Sequence, residues 1–240
     1  MPKFFCDPVS EEQIILTGED ARHAGKVLRI KPGDPVTVSS SKGMDYECEV
    51  EYVTGQEVIL KILSSAPNDT EPKTAVTLYQ ALPKGDKMDL IVQKAVELGV
   101  CRIVPVLTHR CVSRPDEKSM EKKRQRWQKI ADEAAKQCGR GKLVPVCSLL
   151  SWKEAVNEAA GLETALLCYE KGGARLNQIV DEKAKEIGIF IGSEGGFEAE
   201  EVLDAEQAGI KTATLGKLIL RCETAPLAAI AVIMNITGNL

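Results

Sequence analysis

The sequence predicts an α/β protein, with a small β domain followed by a larger domain built on a mostly parallel sheet. Three observations predict it. Up to about residue 66, apolar residues fall in short β-branched runs separated by glycine-containing turns. From about residue 76, short apolar runs alternate with amphipathic helical stretches, the pattern of βαβ units. Between them, Ser65–Lys73 carries two prolines, polar residues and no periodicity, which marks a linker. The domains expected are residues 1–70 and 71–240.

In the first domain Val36–Ser39, Tyr46–Val53 and Glu57–Ser64 read as strands and about Asp20–Leu28 as a helix. Lys31-Pro32-Gly33-Asp34 is a tight-turn signal. In the second domain Val76–Gln80 reads as a strand. Asp86–Leu98 reads as a helix with Met88, Ile91, Val92, Ala95 and Val96 on one face and Gly99 as its stop. Arg102–Leu107 is a strand. Ser119–Cys138 is a long helix with Trp127, Ile130, Ala131, Ala134, Ala135 and Cys138 at helical spacing. Its other face carries Lys122, Lys123, Arg124, Arg126 and Lys129. Val144–Val146, Thr164–Tyr169, Ile187–Ile191 and Thr212–Leu215 read as short strands, and Glu198–Ala208 as a helix.

The densest stretch is Leu215–Ile233. An apolar run, Leu218-Ile219-Leu220, leads into Arg221, Glu223 and Thr224, crowded together just before Pro226. Thr224 can cap a helix whose first turn accepts Pro226. That helix is apolar all round, so burial on every side is expected, in a core or at a subunit interface. An Arg and a Glu at its mouth are costly to desolvate unless paired or used. The residues alone fit either a structural ion pair or a site.

Composition narrows the class. The chain has 240 residues, 44% hydrophobic and 28% charged, enough for one large or two modest cores. No apolar run suggests a membrane span, and Met1–Ser10 lacks the apolar segment of a signal peptide, so a cytoplasmic protein is expected. The 8 cysteines stand singly and His23 and His109 stand apart, which predicts reduced thiols and no metal site. Charge is uneven. Residues 1–70 hold 7 basic and 12 acidic side chains, residues 71–150 hold 16 and 9, and residues 151–240 hold 8 and 14. A basic middle third suits an anionic partner.

Three strand ends point to one ligand site, because parallel sheets bind ligands beyond the carboxyl ends of their strands. They are Leu166–Gly173, Gly192–Phe197 and Leu215-Gly216. The glycine spacing of GSEGGF matches neither the dinucleotide fingerprint nor the P-loop. Its glycines allow close backbone approach, and Glu194 among them disfavours a phosphate and favours a neutral or cationic ligand.

IGSEGGFEAEE together with LGKLILRCETAPLAA resembles the SPOUT superfamily of RNA methyltransferases, and within it the 16S rRNA (uracil(1498)-N(3))-methyltransferase family. KGDKMDLIVQKAVELGV (Lys84–Val100), RWQKIADEAAKQCGR (Arg126–Arg140) and RHAGKVLRIKPGD (Arg22–Asp34) resemble the same family in the same order. The resemblance covers nearly the whole chain. It implies a small PUA-like β-barrel that binds RNA, then a SPOUT-type domain whose trefoil knot holds S-adenosylmethionine, in a homodimer acting on the small ribosomal subunit. The sequence departs from the family's pattern at Ser193, where proline is more usual, at Lys217 and Cys222, and at Ala24-Gly25.

The activity implied is S-adenosylmethionine-dependent methylation of N3 of a uridine in 16S rRNA. Arg221 would stabilise the uracil anion or orient a flanking phosphate. Glu223 would fix Arg221 or assist proton removal, and Thr224 would shape the loop. The cofactor would be held around Leu166, Gly192, Gly195, Gly196, Leu215, Gly216 and Leu220, with Ser193 and Glu194 close by. RNA would meet Arg22, His23, Lys26 and Arg29 in the first domain and Lys84, Lys87, Arg114 and Arg140 in the second. Two alternatives remain open at this point: the same fold acting on another RNA, such as a tRNA ribose 2′-O, or a non-enzymatic ribosome-assembly factor.

Overall fold

The β-branched runs of the first domain pair into a five-stranded sheet in the computed structural model, which describes residues 1–240. Its strands are β1 (Lys3–Phe5), β2 (Gln13–Thr17), β3 (Pro35–Ser39), β4 (Met44–Val53) and β5 (Glu57–Pro67), ordered β1-β3-β4-β5-β2. Alternation sets the faces: Cys48 and Val50 of β4 are buried, while Glu47, Glu49 and Glu51 point to solvent. Phe4, Ile14, Leu16, Val36, Val38, Val58 and Leu60 complete this core.

The helix expected at about Asp20–Leu28 is two pieces. A short α1 (Gly18–Arg22) runs into a π-helical turn over His23–Leu28, closed by Arg29 in the left-handed region at φ 53°. Strand β5 also continues through Ser65, Ala66 and Pro67, so the irregular stretch starts at Asn68.

The larger sheet is entirely parallel and has seven strands in the order β10-β12-β9-β11-β6-β7-β8. In chain order the elements are β6 (Ala75–Ala81), α2 (Lys87–Glu97), β7 (Arg102–Leu107), α3 (Glu117–Cys138), β8 (Leu150–Ser151), α4 (Trp152–Ala159), β9 (Thr164–Cys168), β10 (Ala174–Arg175), α5 (Leu176–Ile179), β11 (Glu186–Ile191), α6 (Ala199–Gln207), β12 (Lys211–Thr214) and α7 (Ala225–Ile236). Strands β6, β7 and β11 are near-continuous apolar runs, as strands covered on both faces must be. Tyr79 stacks on Phe190 at 4.5 Å, and Trp152 and Phe197 extend this aromatic core.

Val144–Val146 is not a strand. Only one bridge forms, Val146 to Ile103, because Pro145 has no N–H to add to a ladder. The chain separates into two compact units. The first comprises Met1–Glu71 with Ala135–Leu143, the second Pro72–Ala134 with Val144–Leu240. The last residues of α3 and the turn after it thus belong to the first unit, where Lys136 pairs with Asp20 at 2.7 Å.

Helix α7 follows Thr224 directly and holds Pro226 in its first turn, but the Thr224 side chain makes no capping hydrogen bond. Pro226, Ala229, Ile230, Ile233 and Met234 are buried; Val232 is 44% exposed, so within a single chain one face of this helix stays open.

Candidate functional site

The carboxyl ends of three neighbouring strands, β12, β9 and β11, surround a cavity of about 570 Å³, a volume typical of small-ligand sites. Its wall is made of the last residues of β9, β11 and β12 (Cys168, Ile191 and Thr214) and the loops that follow them, Tyr169 and Glu170, residues 192–196 and residues 215–222, with Lys87 and Ala225.

The glycine turn is built by close approach. Gly196 N–H donates to the Ser193 carbonyl at 3.0 Å, and Gly196 adopts φ +68°. A Cβ on Gly192 would lie 2.9 Å from the Gly196 Cα, so no side chain fits there. Arg110, in the turn after β7, clamps this loop: Nη1 donates to the Gly195 carbonyl at 2.8 Å and Nη2 to Glu198 at 2.9 Å. Below it, the fully buried Gln80 amide donates to the Gly192 carbonyl at 3.4 Å, and its own Oε1 has no partner.

A glycine loop leading into a helix often binds phosphate at the helix N-terminus. Here that end carries carboxylates. Glu201 accepts from Glu198 N–H at 2.8 Å and from His109 N–H at 2.7 Å. An anionic ligand would be repelled by the Glu201 carboxylate, which already takes up the N–H groups there, whereas a cation would not be repelled.

Glu194 is tied rather than free. It accepts from Lys84 N–H at 3.1 and 3.3 Å and from Lys87 Nζ at 2.8 Å. Desolvation raises its pKa, but Lys87 and the backbone donors outweigh this and bring it to about 2. Burial and a hydrogen bond to Glu223 push the Cys222 thiol up to about 12, and burial does the same for Cys168. Both thiols are protonated at neutral pH.

Residues 70–234 match an RNA methyltransferase domain, and residues 16–63 an RNA methyltransferase PUA domain. The ribosomal RNA small subunit methyltransferase E of Bacillus subtilis is 34% identical over 91% of this chain and 88% of its own. The chain belongs to the ribosomal RNA small subunit methyltransferase E family. The Synechocystis enzyme of that name is 33% identical over 94% of this chain and 74% of its own. The structure of the Neisseria gonorrhoeae enzyme bound to S-adenosyl methionine superposes with a TM-score of 0.90, at 33% identity over 98% of both chains.

Within this methyltransferase, the residues expected at the site separate clearly. Gly192, Ser193, Glu194, Gly195, Gly196, Leu215, Gly216, Leu220 and Arg221 all line the cavity. Leu166 does not: it lies inside β9 with its side chain in the core, and the strand reaches the cavity only at Cys168. Glu223 faces Lys87 at 3.4 Å and the Cys222 thiol at 3.2 Å, and no bond joins it to Arg221. Arg221 is exposed on the wall with no ion-pair partner. Thr224 is exposed and outside the wall; its N–H closes a turn onto the Arg221 carbonyl at 2.8 Å.

Among the residues expected to meet RNA, Arg22, Lys26 and Arg29 are exposed around the π-helical turn, while His23 packs edge-on against Phe4. Lys84 and Arg114 are exposed, with Arg114 donating to the His109 carbonyl at 2.9 Å. Arg140 is different. It is 5% exposed and bound to Glu71, because the turn Gly139–Lys142 folds its side chain inward. Glu170 lies in the strand end 166–173 expected at the site, whereas Arg110 and Gln80 were not expected there. They come from a turn and a strand end with no local motif, and only the tertiary fold brings them there.

Proposed function

We propose that this protein transfers a methyl group from S-adenosylmethionine to N3 of a uridine in 16S rRNA of the small ribosomal subunit. The observation that carries this reading is Arg221, a guanidinium without an ion-pair partner on the wall of a glycine-lined cavity whose helix end is already occupied by carboxylates.

The cavity suits the cofactor. Its volume and its glycines allow an adenosyl group close to the backbone, and Glu170 gives it a carboxylate that favours a cation. Bound there, S-adenosylmethionine supplies a methyl group on a positively charged sulfur. Backbone groups of Gly192, Gly195, Gly196, Leu215, Gly216 and Leu220 would hold it. The solved relative from Neisseria gonorrhoeae, described as bound to S-adenosyl methionine, supports this assignment.

The uracil N3–H is a weakly acidic imide, and as it loses its proton negative charge spreads onto the ring oxygens. Arg221, on the cavity wall, would stabilise that charge, and groups aimed at developing charge contribute most to such steps. Orienting the nitrogen in line with the methyl group supplies much of the rest. The target base must leave its stack to reach the cavity. Arg22, Lys26, Arg29, Lys84 and Arg114 would hold RNA through its phosphates.

The reading includes a homodimer. The open face of α7, with Val232, and the loop residues Leu218 and Ile219, 82% and 83% exposed, favour cover by a second copy. It also includes the trefoil knot, supported by the return of the chain to one cavity after β9, β11 and β12. The workplace would be the cytoplasm, and no helix is long and apolar enough to cross a membrane.

The test is transfer of isotope-labelled methyl from S-adenosylmethionine to small subunits from cells lacking the protein. Label on a uridine base is the expected result. Label on a ribose, or none, would overturn the reading.

A further inference from the structure

Three loops meet at one ammonium group. Lys87, the first residue of α2, places Nζ 2.8 Å from Glu194 in the glycine turn and 3.4 Å from Glu223 in the last loop. The same nitrogen lies 3.7 Å from the Cys222 thiol, which itself donates to Glu223 at 3.2 Å. The loop before α2 adds a second tie, since Lys84 N–H reaches both Glu194 oxygens.

Two carboxylates held this close repel each other unless a cation stands between them. Lysine suits the position, because its ammonium carries three donors that can point to different acceptors. Burial raises the Glu223 pKa, yet its own N–H, the Cys222 thiol and Lys87 together draw it below the usual carboxylate value. Glu223 is therefore an anion fixed to Lys87. The Lys87 side chain is 34% exposed and already satisfied by two carboxylates, so it offers little positive field to a phosphate.

We propose that Lys87 is a positioning residue for methyl transfer: its ammonium joins Glu194 to Glu223 and so locks the glycine turn to the Leu215–Glu223 loop around the cavity, rather than holding RNA. This rests on the methyltransferase reading, because the loops it joins are the ones that reading assigns to S-adenosylmethionine. It also explains why Arg221 stands unpaired: the neighbouring Glu223 is committed to Lys87.

The test compares full-length wild type, Lys87→Met, Lys87→Arg and Glu223→Gln. S-adenosylmethionine binding is read by calorimetry, and binding to a 16S rRNA fragment is read as a function of salt. Lys87→Met should weaken S-adenosylmethionine binding roughly three- to tenfold. Lys87→Arg should restore most of the loss. Glu223→Gln, which cuts the other end of the tie, should weaken binding similarly. Combined with Lys87→Met it should add little further, since the tie it cuts is one of the two that Lys87→Met already removes. The slope of RNA affinity against salt should stay at the wild-type value. Should Lys87→Met lower the thermal midpoint, Lys87→Arg and Glu223→Gln carry the same test.

The opposite pattern would overturn the proposal: unchanged S-adenosylmethionine binding with the salt slope reduced by about 0.7–0.9, the signature of one lost phosphate contact. Fully additive losses in the double variant would overturn it too. Absence of binding by the wild type would instead sink the functional reading, so the two failures are distinguishable.

Discussion

Arg140 and Glu71 form a two-pronged ion pair, with Nε donating at 2.9 Å and Nη2 at 2.8 Å to the two carboxylate oxygens. Glu71 also accepts from the N–H groups of Gly141 and Lys142, at 2.9 and 3.2 Å. The side chains are 6% and 20% exposed, so this arginine is buried in an ion pair within the first unit.

Removing one partner of a buried pair leaves the other charge uncompensated. Arg140→Ala should therefore lower stability by about 3 kcal/mol, measured by urea unfolding. The salt slope of RNA binding should not change.

The same pair predicts an acid limb. Burial raises the Glu71 pKa, but Arg140 and the two backbone donors outweigh it and hold the carboxyl below its ordinary 4.5. A depressed folded-state value means the contribution is complete above pH 4.5 and fades as pH falls through the folded value. Glu71→Gln should flatten this part of the stability profile relative to wild type.

Arg221 gives the kinetic prediction. Arg221→Ala should reduce the turnover rate about 10²- to 10³-fold, the range for losing one group aimed at developing charge. S-adenosylmethionine binding should hold within a few-fold. Arg221→Lys should recover part of the rate. A rate unchanged in Arg221→Ala would remove Arg221 from the mechanism.

The parallel sheet was legible because β6, β7 and β11 are unbroken apolar runs, and the α2 and α3 faces repeat at helical spacing. Strands β1 and β2 were not, since three and five residues between prolines and acids carry little pattern, and only pairing with β3 and β5 defines them. The π-helical turn at His23–Leu28 escaped for a related reason: the i+5 register leaves no mark on composition. At the site, the glycines and Arg221 could be read because glycine spacing and a charge in an apolar run are local signals. Arg110 and Gln80 act across the fold, and the role of Lys87 depends on two carboxylates more than a hundred positions away in the chain.

Glycine geometry can be tested directly. Gly192→Ala pushes a Cβ to 2.9 Å from the Gly196 Cα, so the turn must open. S-adenosylmethionine affinity should fall roughly tenfold, ~1.4 kcal/mol. Circular dichroism should show the fold retained.

The most direct measurement is nucleoside mass spectrometry of 16S rRNA from a strain lacking this protein. The account predicts that 3-methyluridine disappears from the small-subunit RNA, returns with the wild-type gene and does not return with Arg221→Ala. A 3-methyluridine level that stays unchanged without the protein, or loss of a ribose-methylated nucleoside in its place, would contradict it.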